Sequence, residues 1–200
     1  MLRAASDSRP TLLLLTPDYP PAPGGIQLLM RRLAQHLERY SVTVVTRAVA
    51  VAPHATSSSP TETIRRPPHL PGGGPVSLAA FNMLATIEGL RRRPDVVLAG
   101  HVTVAPAAAI LKRLTGAPTV AYLYADEVPH FERLSRMAIA RADRVVAVSG
   151  HTADLARRYG ATPDRLRVIL PGVDLPPPPA SRVGRSSPTI VTVARLVERY

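Results

Sequence analysis

The sequence has no cysteine and no tryptophan, and only 4% of its residues are aromatic. Without cysteine, the chain can form no disulfide and cannot use a thiol as a nucleophile or a metal ligand. With two Phe and no Trp, the chain has few aromatic side chains that could stack on bases, so we expect no binding to nucleic acid. No apolar run reaches the roughly 18 residues of a membrane span, and the N-terminus lacks the apolar centre of a signal peptide. We therefore expect a cytoplasmic protein.

Positive charge dominates the composition. The formal net charge is +11, and 24 of the 25 basic residues are Arg, with Lys112 as the single Lys. One interpretation is an anionic partner, such as acidic lipid headgroups or a phosphorylated substrate. The other is a bias of the genome toward Arg codons, with the charges spread over solvated faces. The first interpretation adds the inner face of the cytoplasmic membrane as a peripheral location.

Buried strands and amphipathic helices alternate along the chain, which predicts an α/β fold with a Rossmann-like, doubly wound parallel sheet of about six or seven strands. Apolar and β-branched runs predict the strands, at 11–16, 42–46, 95–99, 118–124, 143–149 and 166–170. Apolar periodicity predicts the helices, at 26–39, 77–93, 105–114, 131–142 and 151–160. The segment 48–75 is rich in Pro, Gly, Ser and Thr, so we expect a long loop with one short strand near Ile64.

The glycine pair Gly24–Gly25 stands where the first strand leads into the first helix. The first amides of a helix have no internal partner and carry partial positive charge, and glycine lets a ligand approach them closely. Open α/β sheets bind ligands at the carboxyl edge of their strands. We therefore expect a phosphate or a sugar beside Gly24–Gly25.

The organisation changes near residue 175. Residues 1–174 form the predicted Rossmann-like domain, and the Pro-rich and Ser-rich stretch 175–188 is typical of a linker. The final segment, 189–200, begins as a strand that has no partner within the sequence. We interpret it as the start of a second domain that is cut short.

Four segments, in this order and spacing, resemble the N-terminal half of family 4 retaining glycosyltransferases with the GT-B fold. They read TPDYPPAPGGIQ, ADRVVAVSGHTADLARRYG, RLRVILPGVD and VTVARLVERY. In this family the first domain mainly binds the acceptor, and the second mainly binds a nucleotide-sugar donor. The resemblance implies that Gly24, Gly25 and Arg195 contact the donor diphosphate, where negative charge develops during transfer. It also implies that Ser149 and Thr152 face the cleft.

Family members commonly have His-Gly-x-Glu where this chain has Tyr124-Ala125-Asp126-Glu127. The resemblance gives Tyr124, Asp126 and Glu127 the role of orienting the acceptor and the transferred sugar. Tyr124 stands in place of a histidine, and it cannot act as an imidazole base near neutral pH. Either Tyr replaces the histidine, or a nearby histidine supplies its function, or the site is altered. Asp126 and Glu127 could also be ordinary loop or capping residues.

His101 follows the strand 95–99 at the same sheet edge, where it could meet an acceptor hydroxyl or lie on a surface loop. No set of residues has the spacing of a metal site, so we expect no bound metal and no cofactor beyond the donor substrate.

The resemblance implies hexosyl transfer from a nucleotide-sugar to a sugar or lipid-linked acceptor, with these 200 residues inactive alone. The alternative function is a non-catalytic Rossmann-like binding module or a degenerate fragment. A nucleotide-sugar epimerase of similar architecture is a third alternative, for which no pair of residues suited to proton abstraction from a sugar carbon stands out.

Overall fold

The computed structural model describes residues 9–47, 62–65 and 74–173, together with the single positions 175 and 190. Apart from these two positions, the described residues exclude the predicted linker at 175–188 and the predicted second-domain segment at 189–200. Arg195 also lies outside the described residues. The division of the chain into these domains stays a prediction.

Seven parallel strands form one sheet within the described residues, in the order β3-β2-β1-β4-β5-β6-β7. The strands are β1 (Thr11–Leu15), β2 (Ser41–Val45), β3 (Glu62–Arg65), β4 (Val96–Ala99), β5 (Thr119–Leu123), β6 (Arg144–Ala147) and β7 (Leu166–Val168). The predicted doubly wound sheet is confirmed, and so is the short strand near Ile64.

Helices follow most strands, as parallel pairing requires. They are α1 (Gly25–His36), α2 (Gly74–Arg92), α3 (Ala105–Thr115), α4 (Glu127–His130), α5 (Glu132–Arg141) and α6 (Gly150–Arg158), with a 3₁₀ helix at Val102–Val104. The 3₁₀ helix and α4 were not predicted. Each is too short to repeat an apolar period, so it leaves no periodic signal in the sequence. The predicted helix at 131–142 is α5, which begins after the non-helical residue Phe131.

The two faces of the sheet bury different sets of side chains, because successive residues of a strand point to opposite sides. Leu13 and Leu15 of β1 pack in one cluster with residues of α2 and α3. Leu12 and Leu14 pack in another cluster with Met30 of α1. A third cluster joins β5 and β6 to α5 and α6. Within the described part of the chain, no helix is both long and apolar enough to cross a membrane.

Asn82 is a buried polar side chain of α2 that holds the segment after β4. Its Nδ2 donates to the carbonyl oxygens of Leu78 and Thr103, at 2.9 Å each. Its Oδ1 accepts from the backbone amide of Ala107 at 3.0 Å. Every hydrogen-bonding group of this amide side chain therefore has a partner except one lone pair, and two of the partners belong to the 3₁₀ helix and α3.

We predict that Asn82→Ala lowers the free energy of unfolding by roughly 2–4 kcal/mol, because it leaves a buried carbonyl and a buried amide without partners. Urea unfolding followed by circular dichroism measures this loss. Met83→Ala is the matched control, since Met83 is the next residue of α2 and is 59% exposed. Equal losses in the two variants would contradict the role assigned to Asn82.

Candidate functional site

Polar side chains gather at the carboxyl edge of the sheet, where β1 and β4 are neighbours. The connection from β1 runs toward β2, and the connection from β4 runs the opposite way toward β5. Such a reversal opens a crevice between the two strand ends, and this crevice is the usual ligand site of an open α/β sheet. Asp18 follows β1, His101 follows β4 and Glu127 follows β5.

Glu127 is the buried centre of this group, with a side chain only 4% exposed. Its Oε1 accepts from the backbone amide of Tyr124 at 2.9 Å, and its Oε2 accepts from that of Val102 at 3.0 Å. Nε2 of His101 lies 3.1 Å from Oε2. One carboxyl group thus ties together the ends of β4 and β5 and the imidazole ring.

The hydrogen bonds of His101 determine its tautomer. Its Nδ1 accepts from the backbone amide of Thr103 at 3.1 Å, so Nδ1 carries no proton. The proton of the neutral ring is therefore on Nε2, where it points to Glu127. The ring also meets Phe131 edge-on, with centroids 5.8 Å apart. His101 is therefore held as a donor through Nε2.

Asp18 is the site residue that the sequence analysis missed. Its Oδ1 accepts from Nε2 of Gln27 at 2.9 Å, and its Oδ2 lies 4.0 Å from Nε2 of His101. The side chain is 28% exposed, so it is open to solvent where Glu127 is not. Its place directly after a buried strand, at the same sheet edge as His101 and Glu127, was the signal that could have found it.

Burial shifts the titration of both partners in the buried pair. It raises the pKa of Glu127 to about 8, against the opposing effect of the two backbone amides. It also lowers the pKa of His101, with the Asp18 carboxylate opposing and Arg47 adding to the shift. Removal from water disfavours the charged form of a group, so burial favours the neutral form of both Glu127 and His101.

Tyr124 points away from solvent. It is 7% exposed and packs against Tyr122, with ring centroids 5.6 Å apart and tilted. Its hydroxyl is buried and makes no hydrogen bond within the described residues. Burial raises its pKa, with the nearby charge of Glu127 adding to the shift, so the hydroxyl stays protonated at physiological pH. Its predicted role with the sugar stays a prediction, and the imidazole nearest to the crevice is that of His101.

The glycine pair begins α1, as predicted, with Gly24 in the capping position and both residues exposed. Gly24 has φ of 157°, and a β-carbon there would collide with the side chain of Gln27. Around Gly25 a β-carbon would meet no atom within 4 Å. Gly24 is thus required by the fold, whereas Gly25 leaves open space that a ligand could fill.

The other predicted site residues have local partners. The hydroxyl of Ser149 caps α6 by accepting from the amide of Thr152 at 3.1 Å, and Thr152 is fully buried. Asp126 is exposed in front of α4 and makes no capping hydrogen bond. Their roles at the cleft and with the acceptor stay predictions. Among the described residues, no cluster of His, Asp or Glu could hold a metal ion.

The Rossmann-like sheet, with polar residues at its switch point and a glycine pair at a helix start, has the fold of the N-terminal domain of GT-B glycosyltransferases. The model of Glycosyltransferase Family 4 matches residues 23–176. The chain therefore belongs to this family. A search of curated protein sequences finds no significant match.

Solved structures confirm the fold at low sequence identity. The chain is similar to sucrose-phosphate synthase from Thermosynechococcus elongatus, with a TM-score of 0.68 and 16% identity over 81% of this chain and 48% of that one. It is similar to Anabaena HepE in complex with UDP and glucose, with a TM-score of 0.57 and 18% identity over 82% of this chain and 45% of that one.

A third structure is UDP-N-acetylglucosamine 2-epimerase from Rickettsia bellii, with a TM-score of 0.58 and 11% identity over 80% of this chain and 44% of that one. The fold alone is therefore shared by a synthase and an epimerase. The chain spans less than half the length of all three structures.

We predict that stability falls as the pH rises from about 6.5 to 8, because Glu127 keeps its proton in the folded state up to about 8 and loses it near 4.5 when unfolded. The folded state then binds more protons, so raising the pH favours unfolding by at most about 1.4 kcal/mol per pH unit. His101 has the opposite effect, but only below its unfolded pKa of 6.5.

Urea unfolding at several pH values checks this slope, with Glu127→Gln as the comparison. The variant should lose the decline above pH 6.5, whatever its overall stability. An unchanged slope in Glu127→Gln would show that Glu127 does not titrate in this range.

Proposed function

We propose that this chain is the acceptor side of a retaining glycosyltransferase that transfers a hexosyl group from a nucleotide-sugar. The observation that carries the proposal is the cluster of Asp18, His101 and Glu127 at the switch point of a family 4 domain. HepE, which shares the fold, binds UDP and glucose. UDP-glucose is therefore the first donor to test.

Gly24 and Gly25 are the proposed contacts to the donor diphosphate from this side of the cleft. The exposed amides at the start of α1 can donate to phosphate oxygens, and no side chain intervenes at Gly25. Negative charge grows on the leaving diphosphate during transfer, so donors placed there lower the barrier. Arg195 is proposed to add a guanidinium to the same group.

His101 is proposed to supply the function of the family histidine, whose position in the sequence is occupied here by Tyr124. The imidazole follows β4 at the crevice and is 13% exposed, whereas the Tyr124 hydroxyl is enclosed. Glu127 orients the ring by accepting a hydrogen bond from its Nε2–H. No metal is needed in this scheme, because the amides and Arg195 meet the charge of the diphosphate. The donor pocket belongs mainly to a second domain, so the 200 residues alone are proposed to be inactive.

An exposed apolar surface of α2, α3 and α5 is the proposed place of contact with an anionic membrane. Met83 and Ile110 border one groove, and Ile110 and Met137 border the next. Leu114 follows Ile110 by one turn and is 61% exposed. We call these four residues the apolar surface.

Positive charge lies at the margin of the apolar surface. Arg113 and Arg141 border the same groove as Met137, both are exposed, and neither forms a salt bridge within the described ranges. Exposed apolar side chains with Arg beside them are typical of a surface that binds an anionic bilayer. A second copy of the chain would bring the same positive charges against them, which disfavours self-association through this surface.

We predict that Gly25→Ala lowers the rate of transfer from UDP-glucose by about tenfold or more, since one added methyl group blocks a close approach of phosphate to the backbone. The fold should tolerate the change, because nothing lies within 4 Å of the new carbon. The measurement is UDP release by the protein at its natural length, with a thermal melt beside it.

Gly172→Ala is the matched control, since Gly172 is also exposed with open space around it. A wild-type protein that binds UDP without releasing it from any UDP-sugar would favour the non-catalytic binding module. Equal rates for wild type and Gly25→Ala would contradict the diphosphate contact.

We predict that the chain sediments with vesicles of phosphatidylcholine mixed with phosphatidylglycerol, and far less with vesicles of phosphatidylcholine alone. Leu114→Ser and Arg113→Gln should each weaken this binding, because one removes apolar contact and the other removes charge. Leu28→Ser is the control for Leu114→Ser, since Leu28 is a 47% exposed residue of α1 across the sheet. Equal sedimentation with both kinds of vesicle would contradict docking through charge.

A further inference from the structure

We propose that Asp18 binds a hydroxyl group of the acceptor, and that the part of the acceptor beside Asp18 is neutral. This inference rests on the proposed function and adds to it a residue and a chemical class. It follows from which hydrogen-bonding groups at the crevice are already engaged and which are still open.

The buried pair behind Asp18 has little capacity left for a ligand. Both oxygens of Glu127 accept from backbone amides, and its side chain is almost completely buried. Nδ1 of His101 accepts from Thr103, and its Nε2 faces Glu127. Burial keeps a ligand away from the remaining lone pairs of Glu127, and His101 has no free acceptor nitrogen, because Nδ1 is engaged and Nε2 carries the proton.

Asp18 is the carboxylate with an open oxygen. Its Oδ1 is engaged by Gln27, which fixes the side chain in place. Its Oδ2 has no partner within hydrogen-bonding distance among the described residues, since Nε2 of His101 is 4.0 Å away. An ionised carboxylate only accepts hydrogen bonds, so Oδ2 requires a donor.

The distance of 4.0 Å suits a single hydroxyl oxygen between the two groups. An oxygen can lie about 2.8–3.0 Å from both atoms at once, which is ordinary hydrogen-bonding distance. This oxygen would donate a hydrogen bond to Oδ2 of Asp18 and accept one from Nε2–H of His101. The same Nε2–H also donates to Glu127. A hydroxyl is both a donor and an acceptor, and Asp18 and His101 offer it one partner of each kind.

Charge excludes the other common class of acceptor group at this point. A phosphate or carboxylate oxygen carries no proton to donate and would be repelled by Asp18. The amides at the start of α1 favour anions, whereas the Asp18 carboxylate, which Gln27 links to this helix, disfavours them. The anionic diphosphate and the neutral hydroxyl thus have separate places on the same rim.

Asp18→Asn tests the assignment because it keeps the shape of the side chain and can keep the bond from Gln27. Initial rates with the protein at its natural length use UDP-glucose and a panel of methyl hexosides as acceptors. We expect KM for the methyl hexoside to rise about tenfold or more, the usual cost of losing a charged hydrogen bond. KM for UDP-glucose should change little.

Asp154→Asn is the matched control, since Asp154 is an exposed carboxylate of α6 that pairs with Arg157. Saturation-transfer NMR supplies a readout without turnover, in which methyl hexosides should bind the wild-type chain more strongly than the corresponding hexose 6-phosphates. Asp18→Glu, which retains the charge, should recover part of the affinity if the variant chains melt at similar temperatures.

The outcomes separate the two proposals. No UDP release from any UDP-sugar and acceptor would overturn the proposed function, and NMR binding of methyl hexosides to the wild-type chain and to Asp18→Asn would still test Asp18. Transfer with an unchanged acceptor KM in Asp18→Asn would overturn the role of Asp18 alone. Preferential binding of the 6-phosphates would overturn the neutral class of acceptor.

Discussion

A single buried carboxyl group determines the geometry of the candidate site. Glu127 accepts hydrogen bonds from the backbone amide of Val102 after β4, from that of Tyr124 at the end of β5, and from Nε2–H of His101. Two strand ends and one imidazole ring are therefore held in a fixed relation. Without these contacts, the segments after β4 and β5 would have unpaired amides at a buried position, which proteins avoid.

The same contacts oppose the cost of burying a charge. Removal from water raises the pKa of Glu127 to about 8, while the amides that it accepts favour the ionised form. The carboxyl group is therefore close to its titration point near neutral pH. Such a balance is common at functional sites, where the arrangement serves the ligand as well as the fold.

The polar residues at this sheet edge differ in how far they are exposed to solvent. Glu127 and the Tyr124 hydroxyl are buried, so neither is open to a ligand from solvent. Asp18 is 28% exposed and His101 is 13% exposed, so they can reach a ligand. The glycine pair adds the amides of α1 to the same rim. The proposed acceptor side, with its acidic residue Asp18, and the proposed donor side, with the amides of α1, thus lie at two adjacent strand ends and one helix start.

The pattern of the sequence was sufficient for the class of fold. Apolar runs and 3.6-residue periods predicted the strands and long helices, because these elements bury one face and repeat it over several turns. The glycine pair at the start of α1 was predicted for the same local reason. The 3₁₀ helix and α4 escaped prediction because each is too short to repeat its pattern.

The site was only partly predictable. His101 was a candidate because it follows a strand, and Glu127 because of the resemblance to family 4, yet Asp18 was overlooked among the prolines of the first turn. Strand order brought Asp18 and His101 together, since β1 and β4 are neighbours in the sheet although 83 positions separate the two residues. Local sequence determined where strands end and which side chains follow them. Only the tertiary structure decided which ends meet, which side chains lose water and which oxygen remains open, because pairing and burial depend on contacts far apart in the chain.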